Sequence, residues 1–228
     1  MCAKKLRRAP LYRTRLPLAS WERAVALVLG NPPVSALALQ GHLALGSYHT
    51  ALRTATLVRK AACSVKWPRL KGDVEWCELK PGCWARKPRT LWFAVERRPG
   101  GRGQIRVWEG GLSYDNAVRR IGPELAAGAT VITPPGCGYQ RKLLVEIGVS
   151  HRAEALNEAG LAFRGATALA RAFLSMLWDR KHHRAPEDFL EPYLGEFVFR
   201  HNAEVLGWSP ERQVQRVMKV LHAPASSA

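Results

Sequence analysis

Residues 90–110 read TLWFAVERRPGGRGQIRVWEG and predict a β-hairpin. Aromatic and β-branched residues are common in both halves of this segment, residues 90–98 and 103–110, and such residues favour strands. The sequence Pro-Gly-Gly at residues 99–101 separates the halves, as the turn of a hairpin does. Two paired strands are therefore the first elements that the sequence predicts.

The segments after the hairpin alternate between helix and strand patterns. Residues 115–126 favour a helix, and TVIT at residues 130–133 is a short apolar run that predicts a buried strand. LLVEIGV at residues 143–149 predicts another strand. Helical periodicity then prevails in three segments: residues 167–178, 186–202 and 210–221. Strands followed by helices that flank a sheet predict an α/β domain.

The segment before the hairpin, residues 17–62, predicts a small helical unit. Its first helix has a candidate N-cap at Ser20 and ends at Gly30, which a Pro-Pro pair follows closely. The apolar residues of this helix fall on one face: Trp21, Ala24, Val25, Val28 and Leu29.

A second and a third helix follow, joined by a short turn that contains glycine. The second is short and would bury Leu37, Leu39 and Leu43. The turn lies at Leu45-Gly46, and the third helix covers residues 48–62. Helix, tight turn and helix is the helix-turn-helix pattern.

In a helix-turn-helix, the early residues of the second helix meet base edges in the major groove of DNA. The candidate base contacts here are Ser47, Tyr48, His49, Thr50 and Arg53, and the candidate phosphate contacts are Arg59 and Lys60. An ordinary helical hairpin with a solvated basic face is the alternative that the pattern leaves open.

The charge of the chain favours a polyanionic partner. Lysine and arginine number 35 against 18 aspartates and glutamates, a formal net charge of +17. Such an excess attracts nucleic acid, because each phosphate contact releases counterions. Residues 1–14 are basic and aperiodic, and we interpret them as a flexible arm that lies on phosphates or has no role. A basic surface kept only for solubility is the other interpretation.

The cysteines and the apolar runs exclude several classes of protein. The five cysteines form no CxxC pair, so no zinc site is expected. Their odd number and the absence of a signal peptide predict reduced thiols in a cytoplasm. No apolar run approaches the roughly 20 residues of a membrane helix, so no membrane partner is expected. Trp76 and Trp84 have charged neighbours and are candidates for exposed stacking.

Four blocks of the sequence resemble the ISXO-type branch of bacterial insertion-sequence transposases. They are the helical block from RLPLASWERAVALV to the VRK of residues 58–60, the hairpin segment, ELAAGATVIT, and KHHRAP followed by YLGEFVFRHN. The last block is the most specific match. The zinc ribbon that usually begins the family is not matched, and the basic arm stands in its place.

The resemblance implies an RNase H-like domain with a mixed sheet flanked by helices, preceded by the helix-turn-helix. Family members hold two divalent metal ions, which promote strand cleavage and transfer at phosphorus. Three acids, on a central strand, after a neighbouring strand and on a late helix, would bind Mg²⁺. The matching positions here are Cys77, Pro134 and Arg171. None of these three side chains is a hard oxygen ligand, so we predict that catalysis, metal and cofactor are absent.

Two acids near the first position, Glu75 and Glu78, do not restore the site. Side chains alternate along a strand, so Glu75 shares the face of Cys77 two residues earlier, whereas Glu78 faces the other way. The adjacent His182 and His183 point in different directions, which disfavours joint chelation. The resemblance places this pair near DNA, and they are either phosphate contacts or loop residues.

These observations divide the chain into four parts: a basic arm (1–14), a helix-turn-helix domain (15–66), a degenerate RNase H-like domain (67–205), and a C-terminal helix with its tail (206–228). We expect a catalytically inactive, transposase-like protein that binds double-stranded DNA, with a homodimer or higher oligomer on DNA as a possible assembly. An active transposase whose acids are misaligned is one alternative, with Mg²⁺ as its cofactor. A non-enzymatic module that binds RNA or a nucleoprotein is the other.

Overall fold

The computed structural model describes residues 15–79, 90–99, 101–110, 119–133, 142, 144–146, 148–154, 169, 172–173 and 190–223. These residues belong to two compact units. The helical unit contains the described residues up to 66 and those from 190 onward, and the sheet unit contains those between them. No described helix is both long enough and apolar enough to cross a membrane.

Three helices form the N-terminal part of the helical unit: α1 (Leu18–Leu29), α2 (Ala36–His42) and α3 (Tyr48–Cys63). The predicted apolar face of α1 is confirmed, because all five of its residues are buried. The helix begins earlier than predicted, since Pro17 precedes its first turn, and Ser20 is therefore not its cap.

The connection between α2 and α3 differs in detail from the prediction. Its left-handed residue is Ala44, with φ 48°, and the Leu45 N–H donates to the Gln40 carbonyl at 2.9 Å. This bond is typical of a Schellman motif, which satisfies the last carbonyls of a helix. Leu39 is buried as predicted, but Leu37 is 68% exposed, so its predicted burial is wrong.

The helical unit is completed by two helices from the other end of the described chain: α4 (Leu190–Val205) and α5 (Pro210–His222). Helix α4 packs against α3, and α5 packs against α1 and α3. The sequence analysis placed residues 190–205 in the same domain as the sheet. They belong with the helices because their buried side chains, including Tyr193 and Glu196, contact α3.

The sheet unit is built on a five-stranded mixed sheet with the order β3-β2-β1-β4-β5. Its strands are β1 (Asp73–Leu79), β2 (Thr90–Arg98), β3 (Gly101–Gly110), β4 (Thr130–Thr133) and β5 (Ser150–Ala153). Strands β1, β2 and β3 are antiparallel neighbours, whereas β4 runs parallel to both β1 and β5. The α/β class and the hairpin β2-β3 are therefore confirmed.

The region after β4 contains the main error in the predicted elements. Residues 144–146 are helical, and the strand is β5, which begins at Ser150. Leu144 is fully buried in the core of the sheet unit, so an apolar run that packs on the sheet was mistaken for a strand. Short apolar runs do not by themselves separate a buried strand from a buried helical turn.

One face of the sheet contributes to a cluster of buried apolar side chains. Trp76 of β1 lies in this cluster, 2% exposed, with its ring centroid 5.5 Å from that of Trp92. The expectation that Trp76 is exposed for stacking is therefore wrong, and Trp84 lies outside the described residues. The cluster comprises Leu70, Val74, Trp76, Trp92, Ala94, Ile121, Leu125, Ala129, Val131 and Leu144.

Candidate functional site

Cys77, the residue at the first acid position, lies on the central strand β1 opposite Phe93 of β2. Its thiol is mostly enclosed. Burial, and next the negative charge of Glu75, raise the pKa of Cys77 to about 12. A thiol with this pKa carries little thiolate at neutral pH, and thiolate is the reactive form of cysteine.

The enclosure of Cys77 predicts very slow alkylation of the folded protein. At pH 8 a pKa near 12 leaves roughly 1000-fold less thiolate than an ordinary thiol has. We expect iodoacetamide to leave Cys77 unmodified in the native chain and to modify it in urea, as measured by peptide mass mapping. Labelling of native Cys77 at the unfolded rate would contradict this assignment.

Glu75, which lies on the same strand, already forms an ion pair with an arginine of the protein. Its Oε1 accepts a hydrogen bond from Arg97 Nε at 2.7 Å, and Arg97 Nη1 donates to Glu154 Oε2 at 2.8 Å. Arg152 Nη2 in turn lies 2.5 Å from Asp73 Oδ2 and 2.9 Å from Glu154 Oε1. We call Asp73, Glu75, Arg97, Arg152 and Glu154 the arginine–carboxylate network.

The network raises the pKa of Arg97 above its usual value. Burial lowers the pKa of its guanidinium, but the hydrogen bonds and charges of Glu75 and Glu154 outweigh burial, and the net shift is upward. The Glu75 carboxylate is only 6% exposed, whereas Arg97 is 30% exposed. A buried carboxylate therefore has its counter-ion on the neighbouring strand.

The described residues do not fit the Mg²⁺ site that the resemblance implies. No three histidine, cysteine, aspartate or glutamate side chains of the described residues converge to hold a metal ion. A divalent cation near Cys77 would meet sulfur, a soft ligand that Mg²⁺ does not prefer, and at Glu75 it would have to displace Arg97. We therefore derive no reaction step that involves a metal.

Four of the predicted site residues lie outside the described part of the chain: Pro134, Arg171, His182 and His183. Thr133 immediately precedes the second acid position and ends β4. It is 1% exposed, and its Oγ1 lies 2.8 Å from His151 Nε2. The strand that leads to the second position is thus well packed.

The first turns of α3 present the predicted DNA-contact residues to solvent. Ser47 caps the helix, since its Oγ accepts a hydrogen bond from the Thr50 backbone N–H at 3.2 Å. Ser47, Tyr48, His49, Thr50 and Arg53 are all exposed, and so is Lys60 further along the helix. The opposite side of α3 is buried through Ala51, Thr54, Ala55 and Val58.

Arg59 does not belong to this exposed set, which corrects its assignment as a phosphate contact. Its Nε donates to Glu196 Oε2 at 2.7 Å, and the two side chains are 3% and 0% exposed. The Arg59 guanidinium also lies 4.5 Å from the centre of the Tyr193 ring. Arg59 therefore joins α3 to α4 in the interior of the helical unit.

Sequence reasoning missed the arginine–carboxylate network. Glu96-Arg97 was recognised as part of a matched block, but an isolated Glu-Arg pair does not reveal that Arg97 binds Glu75 on the neighbouring strand and Glu154 after β5. Arg152 and Glu154 lie in and just after β5, which the sequence analysis did not identify. The consecutive polar residues Ser150, His151 and Arg152 show no apolar alternation that would have indicated this strand.

Comparisons with known proteins identify no family for this chain. No protein-family model and no curated protein matches it. One solved structure that resembles it is a chain in the complex of the simian T-cell lymphotropic virus intasome with PP2A regulatory subunit B56 gamma. The two chains are 14% identical, with a TM-score of 0.40, and the alignment covers 76% of this chain and 66% of that one. A likeness at this level carries no argument about fold or function.

Proposed function

We propose that this protein is a transposase-like DNA-binding protein of a bacterial insertion sequence that lacks metal-dependent strand cleavage. The observation that carries the DNA-binding part is the exposed polar end of α3. Five contiguous or helically adjacent side chains there offer hydroxyl, imidazole and guanidinium groups to a partner. Such groups hydrogen-bond to base edges and to phosphates.

The helical unit supports a helix-turn-helix interpretation of α2 and α3. The start of α3 is capped by Ser47 and exposed, while its later turns are anchored in the core through Val58 and Arg59. A recognition helix needs both an exposed start and anchored later turns, because its contact residues must stay fixed when they enter a groove of DNA.

The sheet unit supports the RNase H-like interpretation. The resemblance calls for acids on a central strand and after its neighbour, and β1 and β4 are such a pair, in parallel register from Asp73–Thr130 to Glu75–Ile132. Cys77 lies on β1 two residues after Glu75, and Thr133 ends β4 one residue after Ile132. The frame of the site is thus compatible with the family, although the acids are not present at Cys77 and Pro134.

The arginine–carboxylate network supports the absence of catalysis. An active metal-dependent enzyme requires carboxylates that are free to bind cations, whereas Glu75 is held by Arg97. The alternative of a misaligned active site would therefore need acids elsewhere in the chain.

The test is duplex binding measured by fluorescence anisotropy over a range of salt concentrations. We expect binding that weakens roughly 1000-fold or more between 50 and 200 mM salt, as several phosphate contacts require. Arg53→Gln should weaken binding about 10-fold, while Arg23→Gln, an exposed arginine of α1, should change it little. Failure of the wild-type protein to bind duplex DNA would refute the proposal.

The same preparation separates the alternatives. Neither Mg²⁺ nor Mn²⁺ should produce nicks in supercoiled plasmid. Metal-dependent nicking that Glu75→Gln abolishes would establish the misaligned active enzyme instead. Tighter binding to single-stranded or structured RNA than to duplex DNA would favour the RNA-binding module.

A further inference from the structure

Helix α5 has one apolar face inside the helical unit and one basic face toward solvent. Ser209 caps the helix by accepting a hydrogen bond from the Arg212 N–H at 3.3 Å, and Pro210 occupies its first turn. The apolar face is buried through Val217, Met218 and Leu221. The exposed face carries Arg212, Arg216 and Lys219.

Two of these arginines rest on the same aromatic ring. The guanidinium carbons of Arg212 and Arg216 lie 5.1 and 5.4 Å from the centroid of the Trp208 ring. Trp208 itself is 9% exposed and packs edge-on against Phe199, with ring centroids 6.3 Å apart. The buried Trp208 indole therefore supports two guanidinium groups that remain exposed at the surface.

This arrangement lacks a counter-ion within the described part of the chain. No described carboxylate forms an ion pair with Arg212 or Arg216. Like charges at positions i and i+4 of a helix, about 6 Å apart along its axis, repel each other and weaken the helix slightly. A polyanion that contacts both guanidinium groups would remove this repulsion.

We propose that Arg212 and Arg216, supported by Trp208, form a second contact for the phosphate backbone of nucleic acid, distinct from the exposed end of α3. This inference rests on the proposed DNA-binding function and extends it to the C-terminal helix. Stacking on Trp208 restricts the two side chains before the partner arrives, so little conformational entropy remains to be lost on binding. The planar guanidinium groups are suited to phosphate oxygens.

The contact is of the kind that adds affinity without sequence selectivity. Guanidinium groups aimed at phosphates carry no base information, since every base step presents the same backbone. The ordinary alternative is that the two arginines only cover Trp208. That role would affect the stability of the fold and leave the dependence of binding on salt unchanged.

The experiment compares Arg212→Gln/Arg216→Gln with Arg212→Lys/Arg216→Lys and with a matched control, Arg15→Gln/Arg23→Gln. The control removes two exposed arginines of the same unit. For each protein, duplex affinity is measured against salt on two duplexes of unrelated sequence. Thermal unfolding is followed in parallel, and affinities are measured well below the melting temperature.

The glutamine double variant should lower the slope of log affinity against log salt by about 1 to 2, because up to two phosphate contacts are lost. Its affinity at 100 mM salt should fall about 10-fold or more on both sequences, and the lysine variant should retain most of the slope. The control should keep the wild-type slope.

Two outcomes would overturn this inference. If the wild-type protein binds and the glutamine variant keeps its slope, the α5 contact is refuted while the proposed function stands. If the wild-type protein does not bind duplex DNA, both fail together. A glutamine variant that melts earlier at an unchanged slope assigns the arginines to packing alone.

Discussion

Arg59→Ala is expected to lower the free energy of unfolding of the helical unit by about 3–5 kcal/mol. The substitution leaves Glu196 as a fully buried carboxylate without its guanidinium partner, which lies 2.7 Å away in the native protein. It also removes the cation above the Tyr193 ring. Urea unfolding, followed by circular dichroism at 222 nm, measures the loss.

A paired substitution provides the control for this prediction. Arg59→Met/Glu196→Leu replaces both charges with apolar side chains of similar length, and we expect it to recover most of the lost stability. A single Arg59→Ala variant with native stability and weakened DNA binding would instead restore Arg59 to the phosphate contacts. The two measurements together therefore decide between an interior and a surface role for this residue.

The second large effect is expected at Gly195, where α4 lies close to α3. A Cβ atom built on Gly195 would lie 1.9 Å from Cys63 Sγ and 3.0 Å from the Cys63 Cα. Because the Cα belongs to the backbone of α3, Gly195→Ala must separate the two helices. We expect a loss of about 1–3 kcal/mol, which exceeds the gain in helix propensity that alanine brings.

Gly41→Ala is the matched control, because Gly41 is also helical and a Cβ there would meet nothing within 4 Å. That substitution should stabilise the protein by about 0.5–1 kcal/mol. Combining Gly195→Ala with Cys63→Ala removes the contact with sulfur but keeps the contact with the backbone. The double variant should therefore recover only part of the lost stability. A Gly195→Ala variant as stable as Gly41→Ala would show that α3 and α4 are not in close contact.

Elements with local signals were predicted well from the sequence. Helix α3 has a serine cap, an alternation of buried and exposed residues at helical spacing, and a clear start after a short turn, and it was predicted to within one residue of its observed end. Strands β2 and β4 were also predicted with their observed bounds, because β-branched and aromatic residues fill them.

Features that depend on distant partners were not predicted. Arg59 has the spacing of an exposed residue in a basic helix, and only Glu196, 137 residues later, reveals that it is buried. Residues 190–205 were assigned to the sheet unit because they follow it in the sequence. In the candidate site, strand alternation predicted that Glu75 and Cys77 lie on the same face of their strand. The pairing of Glu75 with Arg97 could be predicted only from the order of the strands in the sheet.

The two segments of the helical unit lie before and after the sheet unit in the sequence, and this order has a consequence for synthesis on the ribosome. Glu196 is made 137 residues after Arg59, which at typical translation rates of about 5–20 residues per second is a delay of about 7–27 s. During that interval the nascent chain carries α3 without the carboxylate and the helices that enclose it. A nascent chain released before residue 196 should therefore contain Arg59 without its buried partner and lack a stably packed α3.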